Sequence, residues 1–182
     1  MRWDSLFADL QAQLDAAAAL ELDAEIAERV RIETGALTLA DRLRGHRGEA
    51  PDVRLAVALP GATVLRGTVL DVGSDMVLLA EESSGQVLVP LSAVVTVTGL
   101  GRPARVENSA VLRRLGLRHA LRGLGRARQP VRVLTSNGQV AGTIDRVGAD
   151  HVDVTAQRPG ELHSPGGSTV VPLPAVWAVW PG

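Results

Sequence analysis

Apolar residues recur every three or four positions through the first part of the chain: Leu6, Leu10, Leu14 and Ala17, then Leu22, Ile26 and Val30. That spacing predicts one long helix over residues 4–33, with Asp4 as its N-cap and Thr34-Gly35 as its break. A helix of about 30 residues spans roughly 45 Å. It must pack across more than one small unit or against another chain. Beyond residue 50 the period drops to two. Val64, Arg66, Thr68 and Leu70 alternate with Leu65, Gly67 and Val69. Strands are expected near 53–59, 62–72, 76–81, 86–90 and 93–97. Pro60-Gly61 and Asn137-Gly138 are turn signals. Gly67 and Gly142 fall inside long strands, where glycine permits a sharp bend. Pro90 and Pro172 each close a fourth strand.

The pattern occurs twice. Residues 37–45 and 115–123 share five of nine identities at an offset of 78, from Leu37 and Leu115 to Gly45 and Gly123. The same offset aligns Val53-Arg54-Leu55 with Val131-Arg132-Val133. Further blocks align Gly67-Thr68-Val69 with Gly142-Thr143-Ile144, Val72 to Asp75 with Val147 to Asp150, and Val89 to Val94 with Val171 to Val176. The offset drifts only in turns, and the second copy carries a longer loop from Arg158 to Ser168. Collinear blocks of this kind mark a duplication. The expected class is α+β: a long N-terminal helix followed by two tandem helix-plus-five-stranded small β-barrels. The expected boundaries are an acidic helix over 1–34, a first unit over 35–99, a linker over 100–112 and a second unit over 113–182.

A short helix, a bent five-stranded sheet with glycine in mid-strand and a tight turn before the last strand together resemble the Sm-like fold, with the SH3 barrel as the nearest alternative. The resemblance covers roughly 37–97 and 115–179. Gly67-Thr68-Val69 through Met76 to Leu79 looks like the first Sm motif. The chain as a whole is also similar in layout to a group of uncharacterised actinobacterial proteins. An Sm-like fold implies single-stranded RNA binding through an Asp, an Asn and an Arg-Gly pair. Here the Asp positions hold Gly73 and Gly148, the Asn positions hold Val77 and Val152, and the Arg-Gly positions hold Pro90-Leu91 and Pro172-Leu173. The usual RNA pocket is therefore absent from both copies.

Composition narrows the chemistry. Three Trp, one Phe and no Tyr in 182 residues argue against a large pocket lined by rings. The absence of Cys excludes disulfides, thiolate metal sites and a cysteine nucleophile. Acidic residues soon after Met1 do not fit a signal peptide, and the uncharged stretch 83–101 alternates like strands rather than a membrane span. A cytoplasmic location is expected. All 19 basic residues are Arg, a bias that fits a GC-rich genome and warns against treating each as a chosen ligand.

Charge is segregated. Residues 1–33 carry eight acids and three Arg; residues 100–128 carry eight Arg and one acid. Arg114, Arg118, Arg122 and Arg126 are spaced by four, which on a helix makes a basic stripe flanked by Arg113 and Arg128. Leu117, Ala120, Leu121 and Leu124 would form its packed face. The six arginines are the candidate nucleic-acid contacts, although the acidic helix could equally neutralise them. Trp177 and Trp180, on the last strand of the second copy, are candidate interface residues or else pack against the long helix. The acids Asp71, Asp75, Glu81, Glu82, Asp145, Asp150 and Asp153 show no catalytic spacing, and Asp75 and Asp150 suit turns. The four His are scattered, without a metal-ligand pattern. The expectation is a non-enzymatic protein with no cofactor, metal, membrane or small-molecule substrate. It contacts RNA or DNA phosphates through the Arg-rich helix, or else serves as a scaffold that assembles with itself or a protein partner through barrel edges or the long helix.

Overall fold

The structure, a computed structural model, describes residues 3–48, 55–107, 109, 115–156 and 167–182. It divides into two compact units, residues 1–37 and 38–182. The first is helix α1 (Trp3–Ala36). It runs past the expected end, with Thr34 and Gly35 inside its last turn; glycine costs little where a helix is already fraying. Its described side chains are exposed throughout. The apolar stripe does not keep to one side. Eight residues separate Leu14 from Leu22, and at 3.6 residues per turn that step rotates the stripe by about 80°. The run Ala16–Ala19 spans the change. No helix among the described residues is long and apolar enough to cross a membrane.

The second unit holds both copies. Its elements are α2 (Leu39–Arg44), β1 (Leu55–Ala58), β2 (Val64–Val72), β3 (Met76–Glu81), β4 (Gly85–Pro90), β5 (Thr96–Thr98), α3 (Leu117–Arg126), β6 (Pro130–Thr135), β7 (Gly138–Val147), β8 (His151–Thr155), β9 (Ser168–Pro172) and β10 (Ala178–Pro181). The strands form one open sheet in the order β5-β1-β2-β3-β4-β10-β6-β7-β8-β9, and every paired neighbour is antiparallel. The two tandem five-stranded barrels expected from sequence are joined here in one continuous ten-stranded antiparallel sheet that does not close. The reason is edge pairing: β4 and β10 would each leave a row of backbone groups unmatched, and they meet instead at Leu88 and Val179.

The duplication is visible in the topology. The first half runs β5-β1-β2-β3-β4 and the second β10-β6-β7-β8-β9. Each long strand carries an irregularity at the same repeat position, between Val69 and Asp71 and between Ile144 and Arg146. Packing crosses the seam. Leu88 belongs to the core of the second half, with Leu121, Val131 and Val154. Ala178 and Trp180 belong to the core of the first, with Leu43, Val57 and Leu79. Among the described strands, β5 and β9 end the sheet, each with one unpaired side.

The helices are capped differently. Thr38 and Asp41 form a capping box at the start of α2. At the matching position α3 has Gly116, which offers no side-chain cap. Asp75 of the first half does the work instead: its Oδ1 accepts from Leu117 N–H at 2.7 Å, while Ser74 N–H donates to the Leu115 carbonyl at 3.0 Å. A Cβ on Gly116 would sit 2.5 Å from that same carboxylate oxygen. Glycine is thus required so that the turn after β2 can dock on the start of α3. The segment after β5 is also tied down, along α2. Arg42 donates to the Gly101 carbonyl, and Arg105 N–H donates to the Asp41 carbonyl.

Candidate nucleic-acid interface

Helix α3 lies against β7 with Leu117 and Leu121 buried and Ala120 and Leu124 partly buried, the packed face expected from sequence. Gly125 allows the close approach, since a Cβ there would meet Ile144 at 3.2 Å. Arg118, Arg122 and Arg126 remain exposed on the other side. Arg118 reaches the Ala149 carbonyl at 3.3 Å, and Arg126 Nε the Arg122 carbonyl at 3.3 Å. Arg128, just beyond the helix, is exposed with φ 49°. Arg113 and Arg114 lie outside the described residues; of the four arginines spaced by four, Arg118, Arg122 and Arg126 are on α3.

Between α3 and β7 runs an open groove of about 420 Å³, lined by His119, Arg122, Arg126, Ile144, Asp145 and Arg146 among others. A second cleft of about 440 Å³ continues it past Arg126 to Arg128. The guanidinium groups of Arg122 and Arg146 have no ion-pair or hydrogen-bond partner among the described residues. The single carboxylate lining the groove among the described residues, Asp145, accepts a hydrogen bond from the Thr155 hydroxyl. Asp153 lies opposite Arg146 in the ladder, and its carboxylate is 3.9 Å from His151 Nε2.

The same place in the first half is built differently. Arg44, the counterpart of Arg122, is only 9% exposed. It bonds Asp41 Oδ1 at 2.8 Å and the Gly73 carbonyl at 2.8 Å, though its Nε has no partner among the described residues. Burial works to raise the Asp41 pKa. The Thr38 side-chain and backbone hydrogen bonds and the Arg44 charge outweigh it and hold the carboxyl below its ordinary value. Arg47 pairs with Asp71 at 3.4 Å. Aligning the repeats sets His119 against Asp41 and Arg146 against Asp71. Both carboxylates that neutralise arginine in the first half are missing from the second. The signal was present in the aligned repeats, but it becomes legible only once the first-half pairs are seen.

The remaining acids serve local structure. The Asp75 and Asp150 carbonyls accept from Leu91 and Leu173 N–H, as turn residues do. The His151 hydrogen bond lowers the Asp150 pKa. For Glu81, burial is outweighed by bonds from Ser83, Ser84 and Trp180 and by the Arg132 charge, which together lower it. His46, one of the scattered histidines, is buried and structural. Its Nε2 accepts from Gly101 N–H at 3.0 Å, which leaves Nδ1 to donate to the Arg42 carbonyl at 3.0 Å. Trp180 is buried at the seam between the halves, donates to Glu81 at 3.3 Å and stacks under Arg132 at 5.4 Å. Trp177 is partly buried against the first-half core and lies beside Gly61. No family model matches this chain, and no curated protein shows significant similarity to it.

Proposed function

We propose that this chain is a non-enzymatic binding protein that contacts RNA or DNA phosphates through α3 and the groove beside it. One observation carries this reading: Arg118, Arg122 and Arg126 stand exposed on a helix whose opposite face is buried in the sheet. A rigid element presenting arginines in register suits a phosphate backbone. Among the described residues no Trp, Tyr or Phe lines the groove, so the arginines address the backbone rather than a stacked base and binding is sequence-tolerant. The repeated strand order and matched irregularities support an Sm-like ancestry for each half, with the family's pocket replaced by the helix-side groove.

The expected result is binding of a labelled 20-nucleotide RNA or DNA at low salt. With about four phosphate contacts, affinity should fall roughly a hundredfold between 50 and 200 mM salt. The triple variant Arg118→Ala/Arg122→Ala/Arg126→Ala should lose most of it. Fluorescence anisotropy reads both, and unchanged affinity in the triple variant removes the reading.

A second reading, assembly through sheet edges, is favoured by the seam itself. The outer strands β5 and β9 are the repeat counterparts of β10 and β4, which already pair inside the chain. A second copy joined head to tail would place Val170 where Leu88 sits. Val170 is 60% exposed and Leu88 only 5%. Sedimentation should then show concentration-dependent oligomers that Val170→Lys abolishes. A strictly monomeric wild type at high concentration rules this reading out.

A further inference from the structure

We propose that the α3–β7 groove holds a discrete site for the phosphodiester backbone of a polynucleotide, centred on Arg122, where the second half carries His119 and Arg146 in place of the first half's Asp41 and Asp71. This rests on the phosphate-binding reading and goes further, because it names one centre and the reason it exists in only one half.

The two halves act as an internal control. They share the short helix, the long bent strand and the irregularity at the same position. In the first half, Arg44 is consumed by Asp41 and Arg47 by Asp71. That arrangement is neutral and closed to an incoming anion. The cavity beside Arg44 is bordered by Asp41 and Glu107, which repel one further. In the second half, the matching helix positions hold Arg122 and His119, and the matching strand position holds another arginine. Among the described residues, the groove sets three arginines, Arg122, Arg126 and Arg146, against one carboxylate, Asp145, which accepts from the Thr155 hydroxyl. Like charges gathered this closely favour binding a counter-charge. A guanidinium free of protein partners can offer a phosphate two parallel N–H donors.

The shape selects the ligand. At about 420 Å³ the groove has room for more than a lone oxyanion. It is open and runs on toward Arg128, a track for a chain rather than a closed pocket. His119 beside Arg122 adds a polar edge without a carboxylate.

The test restores what the first half has. In the full chain, His119→Asp recreates the three-residue spacing of Asp41 and Arg44, and Arg146→Asp recreates Asp71. His119→Asp should keep the wild-type melting temperature or raise it, and should weaken binding of a labelled 20-nucleotide single strand at least tenfold. The double variant should weaken it further. Ser92→Asp makes the same change in net charge on an exposed residue of the first half and should alter affinity less than twofold. Equal losses in Ser92→Asp and His119→Asp mean that only net charge matters, and overturn the site. If His119→Asp binds like wild type while the triple arginine variant does not, the site is wrong and the broader reading stands. If the wild type binds no oligonucleotide at low salt, both fall. Polyglutamate that competes as well as the oligonucleotide identifies an acidic peptide as the ligand and also overturns the proposal.

Discussion

Replacing Gly67 with alanine is expected to destabilise the sheet-bearing unit by about 3 kcal/mol or more, beyond the usual cost of overpacking. A Cβ at Gly67 would sit 2.0 Å from the Ala80 carbonyl oxygen on the neighbouring strand. The obstacle is backbone, so no side chain can swing away, and β2 and β3 would have to separate where Thr68 pairs with Ala80. Gly142 meets the Thr155 carbonyl oxygen at 2.1 Å in the second half and should behave the same way. Gly123 has open space around it. Its replacement by alanine should stabilise α3 by about 0.5–1 kcal/mol, the ordinary glycine-to-alanine gain in a helix. Urea denaturation of the three variants reads the contrast. A mild effect at Gly67 would mean that β2 and β3 do not approach as closely as described.

Asp41→Ala should cost about 3–5 kcal/mol, since it leaves the Arg44 guanidinium buried without its carboxylate. The double variant Asp41→Leu/Arg44→Met should recover much of the loss, because removing both charges removes the desolvation penalty as well. The pair also fixes a pH dependence. The Asp41 pKa is lowered in the folded state from an ordinary value of 3.8. Its contribution is therefore complete above that value and is lost as pH falls through the lower folded-state pKa. Wild type should lose stability below about pH 4. Asp41→Asn should be less stable at neutral pH and flatter in that acid range. Chemical denaturation at pH 7 and in steps below pH 4 tests the sign.

Much of the fold was legible because its signals are local. Three- and four-residue spacing gave the long helix. Period-two alternation gave β2, and the offset blocks gave the repeat, including its leading helix. Small barrels leave edges free to pair, so a joining of the two halves within one chain was foreseeable, but which strands meet was not. β4 and β10 lie far apart in sequence, and nothing in Leu88 or Val179 announces that each chooses the other half. Trp180 was marked as an interface residue, and the interface it serves is internal. The arginine stripe was only half readable. The four-residue spacing picks out Arg118, Arg122 and Arg126, but it treats them like any other arginines. What separates Arg122 from its twin Arg44 is the neighbour three residues earlier, His119 against Asp41, and the strand opposite, Arg146 against Asp71. A periodicity search sees neither, because ion pairing depends on what the fold brings alongside.

On the proposed function, one half of the repeat has its arginines neutralised and the other offers them to phosphate. Two-dimensional ¹H–¹⁵N NMR during titration with a short oligonucleotide at low salt tests it most directly, since each half reports separately. Shifts are expected at Arg122, Gly125 and Ile144 to Val147, with little change at Arg44, Asp71 and Val72. Shifts of equal size at both sets, or shifts confined to β5, β9 or the first half, would contradict it.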